Sequence, residues 1–123
     1  MEFDVLSNQV IGCAIEVHRV LGPGLLESTY ERCLSHELQC SHIPFMAQHP
    51  LPIEYKGLLL DCGYRVDLLV GGALIVELKA IERIMPVHEA QLLTYMKLAG
   101  VRTGLLVNFN VTQLKTGISR YVL

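Results

Sequence analysis

Val66-Asp67-Leu68-Leu69-Val70, Gly71-Gly72, Ala73-Leu74-Ile75-Val76-Glu77-Leu78-Lys79 is a pair of apolar segments meeting at two glycines. Glycine accepts the positive φ that a tight hairpin turn demands, so Gly71-Gly72 predicts a β-hairpin. Along the second arm, Ile75, Glu77 and Lys79 share one face; Leu74, Val76 and Leu78 share the other. Val, Ile, Leu and Ala surround the two charges, which suggests a strand covered on both sides. Charges in that setting must pair, bind a metal or perform chemistry, because an isolated buried charge is too costly. Asp67, on the first arm, is a third charge close by. The plainer reading is a solvated or paired stripe on a half-exposed strand, which for a bare Glu-x-Lys ordinarily wins. The apolar flanks bring the two readings level.

Upstream of the hairpin, Val10, Ile11, Ala14, Ile15, Val17 and Leu21 recur at helical spacing and predict a helix over 7–21. Gly22-Pro23-Gly24 ends it, since Gly accepts a left-handed cap and Pro cannot continue the ladder. A second helix follows from about residue 25 or 26 to 39, with Leu26, Tyr30, Cys33, Leu34 and Leu38 as its apolar stripe. Glu27 lies at the edge of that stripe. It either complements the helix dipole in the first turn or faces inward, and periodicity alone slightly favours the dipole. Residues 43–48, with Pro44, read as a connection. Residues 51–55 read as an edge strand marked by prolines. Lys56-Gly57 then turns the chain into a long strand from 58 to 70, bent or bulged at Gly63. With the Gly71-Gly72 hairpin, this makes a three-stranded antiparallel meander.

Downstream, residues 80–85 read as a loop, and Pro86 suits the first turn of a helix that stops at Gly100. His88, Gln91, Leu92, Tyr95, Leu98 and Ala99 share one arc of that helix. A histidine so placed is more often a hydrogen-bonded support than a ligand. Gln91 is harder to dismiss, because a buried amide needs partners for all its hydrogen-bonding positions. Residues 103–109 form an apolar strand, and the helical crossover before it implies parallel pairing with the Glu77 strand. Residues 110–115 form a loop or turn, and 117–123 a short final strand.

The totals set outer limits. The 123 residues, 51% hydrophobic and 18% charged, suffice for a single α/β domain over 1–123 with one core. No apolar run approaches the roughly 20 residues that span a bilayer. The acidic Met1-Glu2-Phe3-Asp4-Val5 lacks the layout of a secretory signal, so a cytoplasmic protein with no membrane partner is expected. Cys13, Cys33, Cys40 and Cys62 form no C-x-x-C pair, which points to reduced thiols and away from zinc. A formal net charge of −2 argues against broad adhesion to nucleic acid, but not against a nuclease with a metal and a local basic rim. These limits leave room for a homo-oligomer.

Assembled, these residues resemble a known family. Gly24-Leu25-Leu26-Glu27-Ser28-Thr29-Tyr30 matches the G-x-x-E-x-x-Y signature of the GxxExxY proteins, which are assigned to the PD-(D/E)XK nuclease superfamily. The likeness extends through residues 63–70, 75–80, 88–95 and 104–110, and is weakest between 40 and 49. Asp67, Glu77-x-Lys79 and Gln91-x-x-x-Tyr95, in this order, are far more specific than Glu-x-Lys alone. The last is similar to the helix motif of the RecB-like branch. The resemblance implies a restriction-endonuclease-like α-βββ-α-β core with a mixed sheet, an extra N-terminal helix and a short C-terminal strand. It also implies that Glu27 faces inward.

The same resemblance implies metal-dependent hydrolysis of nucleic acid, expected to be DNA. Asp67 and Glu77 would bind Mg²⁺ or Mn²⁺, with Glu27 contributing directly or through a water and the Leu78 carbonyl as a further ligand. Lys79 would orient or help deprotonate the attacking water and neutralise phosphate charge. Gln91 would position a phosphate, a water or Lys79, with Tyr95 packed behind it. His88 and Tyr30 would contact substrate or support their helices. A non-catalytic binding or regulatory module on the same fold is the rival, though all the charged positions such a module would ordinarily lose are present. A small-molecule phosphoesterase is a third reading, and it requires a closed pocket rather than an open groove.

Overall fold

A computed structural model describes residues 4–123; the acidic opening at 1–3 lies outside the described residues. Three helices and seven strands follow in the order α1 (Val5–Leu21), α2 (Glu27–Cys40), β1 (Phe45–Pro50), β2 (Ile53–Tyr55), β3 (Leu58–Leu60), β4 (Arg65–Val70), β5 (Leu74–Lys79), α3 (Pro86–Ala99), β6 (Thr103–Asn108) and β7 (Ile118–Val122). A short 3-10 turn, Leu114–Gly117, precedes the last strand. The main sheet has five strands in the order β1-β4-β5-β6-β7. Among the described strands only β5 and β6 are parallel, with Leu74 opposite Thr103 through to Lys79 opposite Asn108. This mixed α/β architecture is the restriction-endonuclease-like fold expected from the sequence.

The alternation along β5 divides the molecule into layers. Leu74, Val76 and Leu78 face α1 and α2, where Val10, Ala14, Tyr30, Leu34 and Leu38 complete a core reaching Leu105, Val107 and Phe109. Ile75 faces the other way and packs with Leu92, Tyr95, Met96 and Leu106 under α3. Each fully buried aliphatic side chain in such a core contributes about 1.5–3 kcal/mol. Among the described residues, no helix is long and apolar enough to cross a membrane.

Local chemistry explains most of the boundaries. Asp4 caps α1 by accepting the Leu6 N–H, and Gly22 ends it with φ 71°. The Tyr30 hydroxyl donates to the Gly22 carbonyl (2.6 Å) and accepts the Leu25 N–H (3.1 Å), clasping the turn between the two helices. Its ring stacks on Phe109 at 4.3 Å. Gly71 and Gly72 both take positive φ, as the hairpin requires, although Ala73 also belongs to the turn because Val70 pairs with Leu74.

The meander differs from the expected one. Residues 45–50, read as a connection, form β1 and pair antiparallel with β4. They escaped notice because Met46, Ala47 and Gln48 are all exposed, so the edge strand has no apolar alternation. The expected long strand from 58 to 70 is broken at 61–64, where Asp61 Oδ1 accepts the Gly63 N–H and Gly63 has φ 77°. β2 and β3 therefore make a separate two-stranded hairpin, with Leu58 and Leu59 largely exposed. A bond from the Leu51 N–H to the Tyr64 carbonyl (2.8 Å) closes its base.

Gly117 tests how tightly the C-terminal strand is set. A Cβ there would overlap the Asn108 backbone carbonyl, which cannot rotate away. Gly117→Ala is expected to cost about 2–4 kcal/mol by overpacking, read as a fall in Tm; Gly12→Ala, inside α1 with no described atom near its Cβ position, is the control and should leave Tm level or raise it, because alanine is the better helix former.

Candidate active site

The ladder between β4 and β5 stops at Leu68 and Val76. Beyond that pair, Asp67 and Glu77 stand on adjacent strands, and Glu77 shares the α3-side face of Ile75 by alternation. Their carboxylates replace the missing strand partners. The Asp67 N–H donates to Glu77 Oε1 (3.1 Å), and the Leu78 N–H donates to Asp67 Oδ2 (2.8 Å). Each acid is thus fixed by the other's strand. Glu77 is buried, at 5% exposure, while Asp67 and Lys79 are half-buried.

Burial is the main reason that the Glu77 carboxyl is pushed up to about 8, and the Asp67 charge adds to it. The bond from the Asp67 backbone and the nearby Lys79 ammonium pull the other way without compensating. Two acids held this close cannot both ionise cheaply unless a cation joins them. The donors are hard oxygens, the kind that Mg²⁺ and Mn²⁺ prefer, and Mg²⁺ needs only one or two carboxylates besides water and phosphate. The pair therefore fits a divalent ion.

The expected convergence of three acids is not what the structure has. Among the described residues, no three of His, Cys, Asp and Glu are grouped so as to hold one ion. Glu27 opens α2 and is exposed, without a hydrogen bond or ion pair among the described residues. The helix acid tied to the cluster is Glu31, one turn later. Gln48 Nε2 donates to both Glu31 Oε1 and Asp67 Oδ1 (3.3 Å), joining the two acids through one amide. Burial raises the Glu31 carboxyl, the Gln48 bond lowers it, and the Asp67 charge raises it further.

Gln48 itself has φ 51°, and the β1–β4 register passes over the Gln48–Asp67 position. A non-glycine residue in the left-handed region within a strand costs about 1–3 kcal/mol and is found mainly where function holds it. Sequence reasoning missed both residues. The signal for Glu31 was its place one turn after Glu27; Gln48 gave none, lying in a stretch without periodicity.

On the α3 side, Gln91 Nε2 donates to the Tyr95 hydroxyl (3.2 Å). Tyr95 is buried and Gln91 exposed, so the amide is not the buried group that the helix arc suggested. Burial raises the Tyr95 phenol first and the Glu77 charge second, placing the ring beside the acidic pair. Tyr64 meets Tyr95 edge-on at 6.2 Å and lines the same neighbourhood. His88 accepts the Met85 N–H at Nδ1 (2.8 Å) and so closes the first turn of α3. Leu78, Asp67, Glu77, Lys79, Gln91 and Tyr95 are brought to one region; Tyr30 lies in the opposite core.

A family model described as PD-(D/E)XK nuclease superfamily matches residues 4–121 of the chain. No curated protein and no solved structure is matched.

Proposed function

The chain belongs to the PD-(D/E)XK nuclease superfamily, whose members use divalent metal ions, and we propose that it hydrolyses phosphodiester bonds of DNA with Mg²⁺ or Mn²⁺. The observation that carries this reading is the reciprocal clasp of Asp67 and Glu77, with Lys79 following on the same strand face. The stretch Gly24–Tyr30 is read as marking the GxxExxY branch.

When bound, the ion lowers the pKa of water and neutralises charge on the phosphate oxygens. Asp67 and Glu77 would hold it. The Leu78 carbonyl lies on the same strand edge as the Leu78 N–H that Asp67 takes, so it is suited to join them. Lys79 donates towards the scissile phosphate and orients the attacking water. Glu31 steadies Asp67 through Gln48. Gln91, steadied by Tyr95, positions a phosphate oxygen, and His88 supports the helix that presents Gln91.

Cleavage of end-labelled single- and double-stranded DNA, with Mg²⁺, with Mn²⁺ and in EDTA, tests the reading. Product is expected only with a divalent ion, and Lys79→Ala should lower its rate by about a hundredfold or more, the scale of one general acid–base or charge-stabilising group. Equal rates for Lys79→Ala and Asp67→Ala and the native chain would show that the wrong residues have been named.

A further inference from the structure

A cavity of about 560 Å³ opens beyond the carboxyl ends of β5 and β6, lined by Ile81, Glu82, Arg83, Met85 and His88. Its lining starts two residues after Lys79, at the edge of the sheet where ligands of open α/β folds commonly sit. The loop that forms it is held in place rather than loose. Asn108, buried at 3% exposure, accepts the Ile81 N–H (3.1 Å) and donates to the Ile81 carbonyl (2.9 Å). That amide substitutes for a strand partner and ties the cavity floor to β6.

The lining is chemically mixed. Arg83 is exposed and makes no hydrogen bond or ion pair among the described residues, which leaves its five donors to a bidentate anion. His88 uses Nδ1 to accept the Met85 N–H, which leaves the neutral ring's proton on Nε2 as a second donor. Glu82 supplies an acceptor suited to an amine or hydroxyl, and Ile81 and Met85 supply apolar walls. Two donors, one acceptor and apolar walls suit a phosphate carrying a sugar and base better than a bare phosphate. The volume lies within the range of pockets for ligands of that size.

We propose that this cavity is a mononucleotide subsite, in which Arg83 and His88 take a phosphate while the attached nucleoside lies against Ile81 and Met85. Resting on the nuclease reading, it would seat the nucleotide next to the bond being cut, adjoining Lys79.

Titration of the full chain with nucleoside 5′-monophosphates in EDTA, followed by calorimetry or amide NMR shifts, tests the subsite without any cleavage. Binding is expected, at least tenfold weaker for the nucleoside lacking phosphate and at least tenfold weaker in Arg83→Ala. The shifts should fall on residues 81–88. No binding, or the same affinity in Arg83→Ala, overturns the subsite. A chain that cuts DNA with an unchanged KM in Arg83→Ala likewise overturns it and leaves the nuclease reading standing. Mononucleotide binding lost in Arg83→Ala, in a chain that cuts no DNA, sustains the cavity and overturns the nuclease reading.

Discussion

Asp67→Asn is expected to lower metal-dependent cleavage by about a thousandfold while leaving the fold intact and slightly more stable. The asparagine oxygen can still accept the Leu78 N–H, so the strand contact survives. What disappears is the charge, together with the exposed acceptor that took the Gln48 amide. An ion that loses one of two carboxylates loses several kcal/mol of the stabilisation it supplies to the transition state, and each 1.36 kcal/mol is tenfold in rate. Removing the Asp67 charge also removes one of the causes that push Glu77 upward, so the metal-free protein is relieved of repulsion. A loss of activity joined to an unchanged or raised Tm is the signature of a site that trades stability for function. Loss of both activity and Tm would instead make Asp67 a structural residue.

The second large effect is a pH dependence of stability set by Glu77. Its carboxyl moves from an ordinary 4.5 to about 8 in the folded protein, first through burial and then through the Asp67 charge. Below about 4.5 both folded and unfolded chains hold the proton. Between 4.5 and 8 the unfolded chain releases it while the native chain keeps it, so unfolding becomes easier as pH rises. The loss, on the order of a few kcal/mol, is complete once the native carboxyl ionises above about 8. Denaturant titrations in EDTA across pH 4–9 are expected to show that decline, and Glu77→Gln should flatten it. Added Mg²⁺ or Mn²⁺ should restore stability at the alkaline end, because the ion takes the place of the proton. A slope as steep in Glu77→Gln as in the native chain would assign the dependence to another group.

The fold was legible wherever a residue's local chemistry and its burial agree. Gly71-Gly72 announces its hairpin because the turn needs the backbone that glycine supplies. β5 and β6 read as central strands because both faces of each are covered. Where burial supplies no pattern, reading failed. β1 is an edge strand with three consecutive exposed residues, and the break at 61–64 depends on a single Asp61–Gly63 bond that a run of leucines disguises.

The site divides in the same way. Asp67, Glu77 and Lys79 are conspicuous because they are charges inside apolar strands, and nothing but pairing or chemistry tolerates them there. Glu27 is exposed and Glu31 half-buried on the same helix, and the link from Glu31 to Asp67 runs through Gln48. That link depends on the left-handed φ of Gln48 in β1, a tertiary feature with no trace in hydrophobic periodicity.

The claim on which the rest depends is that Asp67 and Glu77 form one cation site. Crystals soaked in Mn²⁺ and measured at the manganese absorption edge test it most directly. The expected result is one anomalous peak within about 2.0–2.3 Å of a carboxylate oxygen of each residue, close to the Leu78 carbonyl. Manganese bound only elsewhere, with the Asp67–Glu77 clasp unchanged and no peak between them, would contradict it.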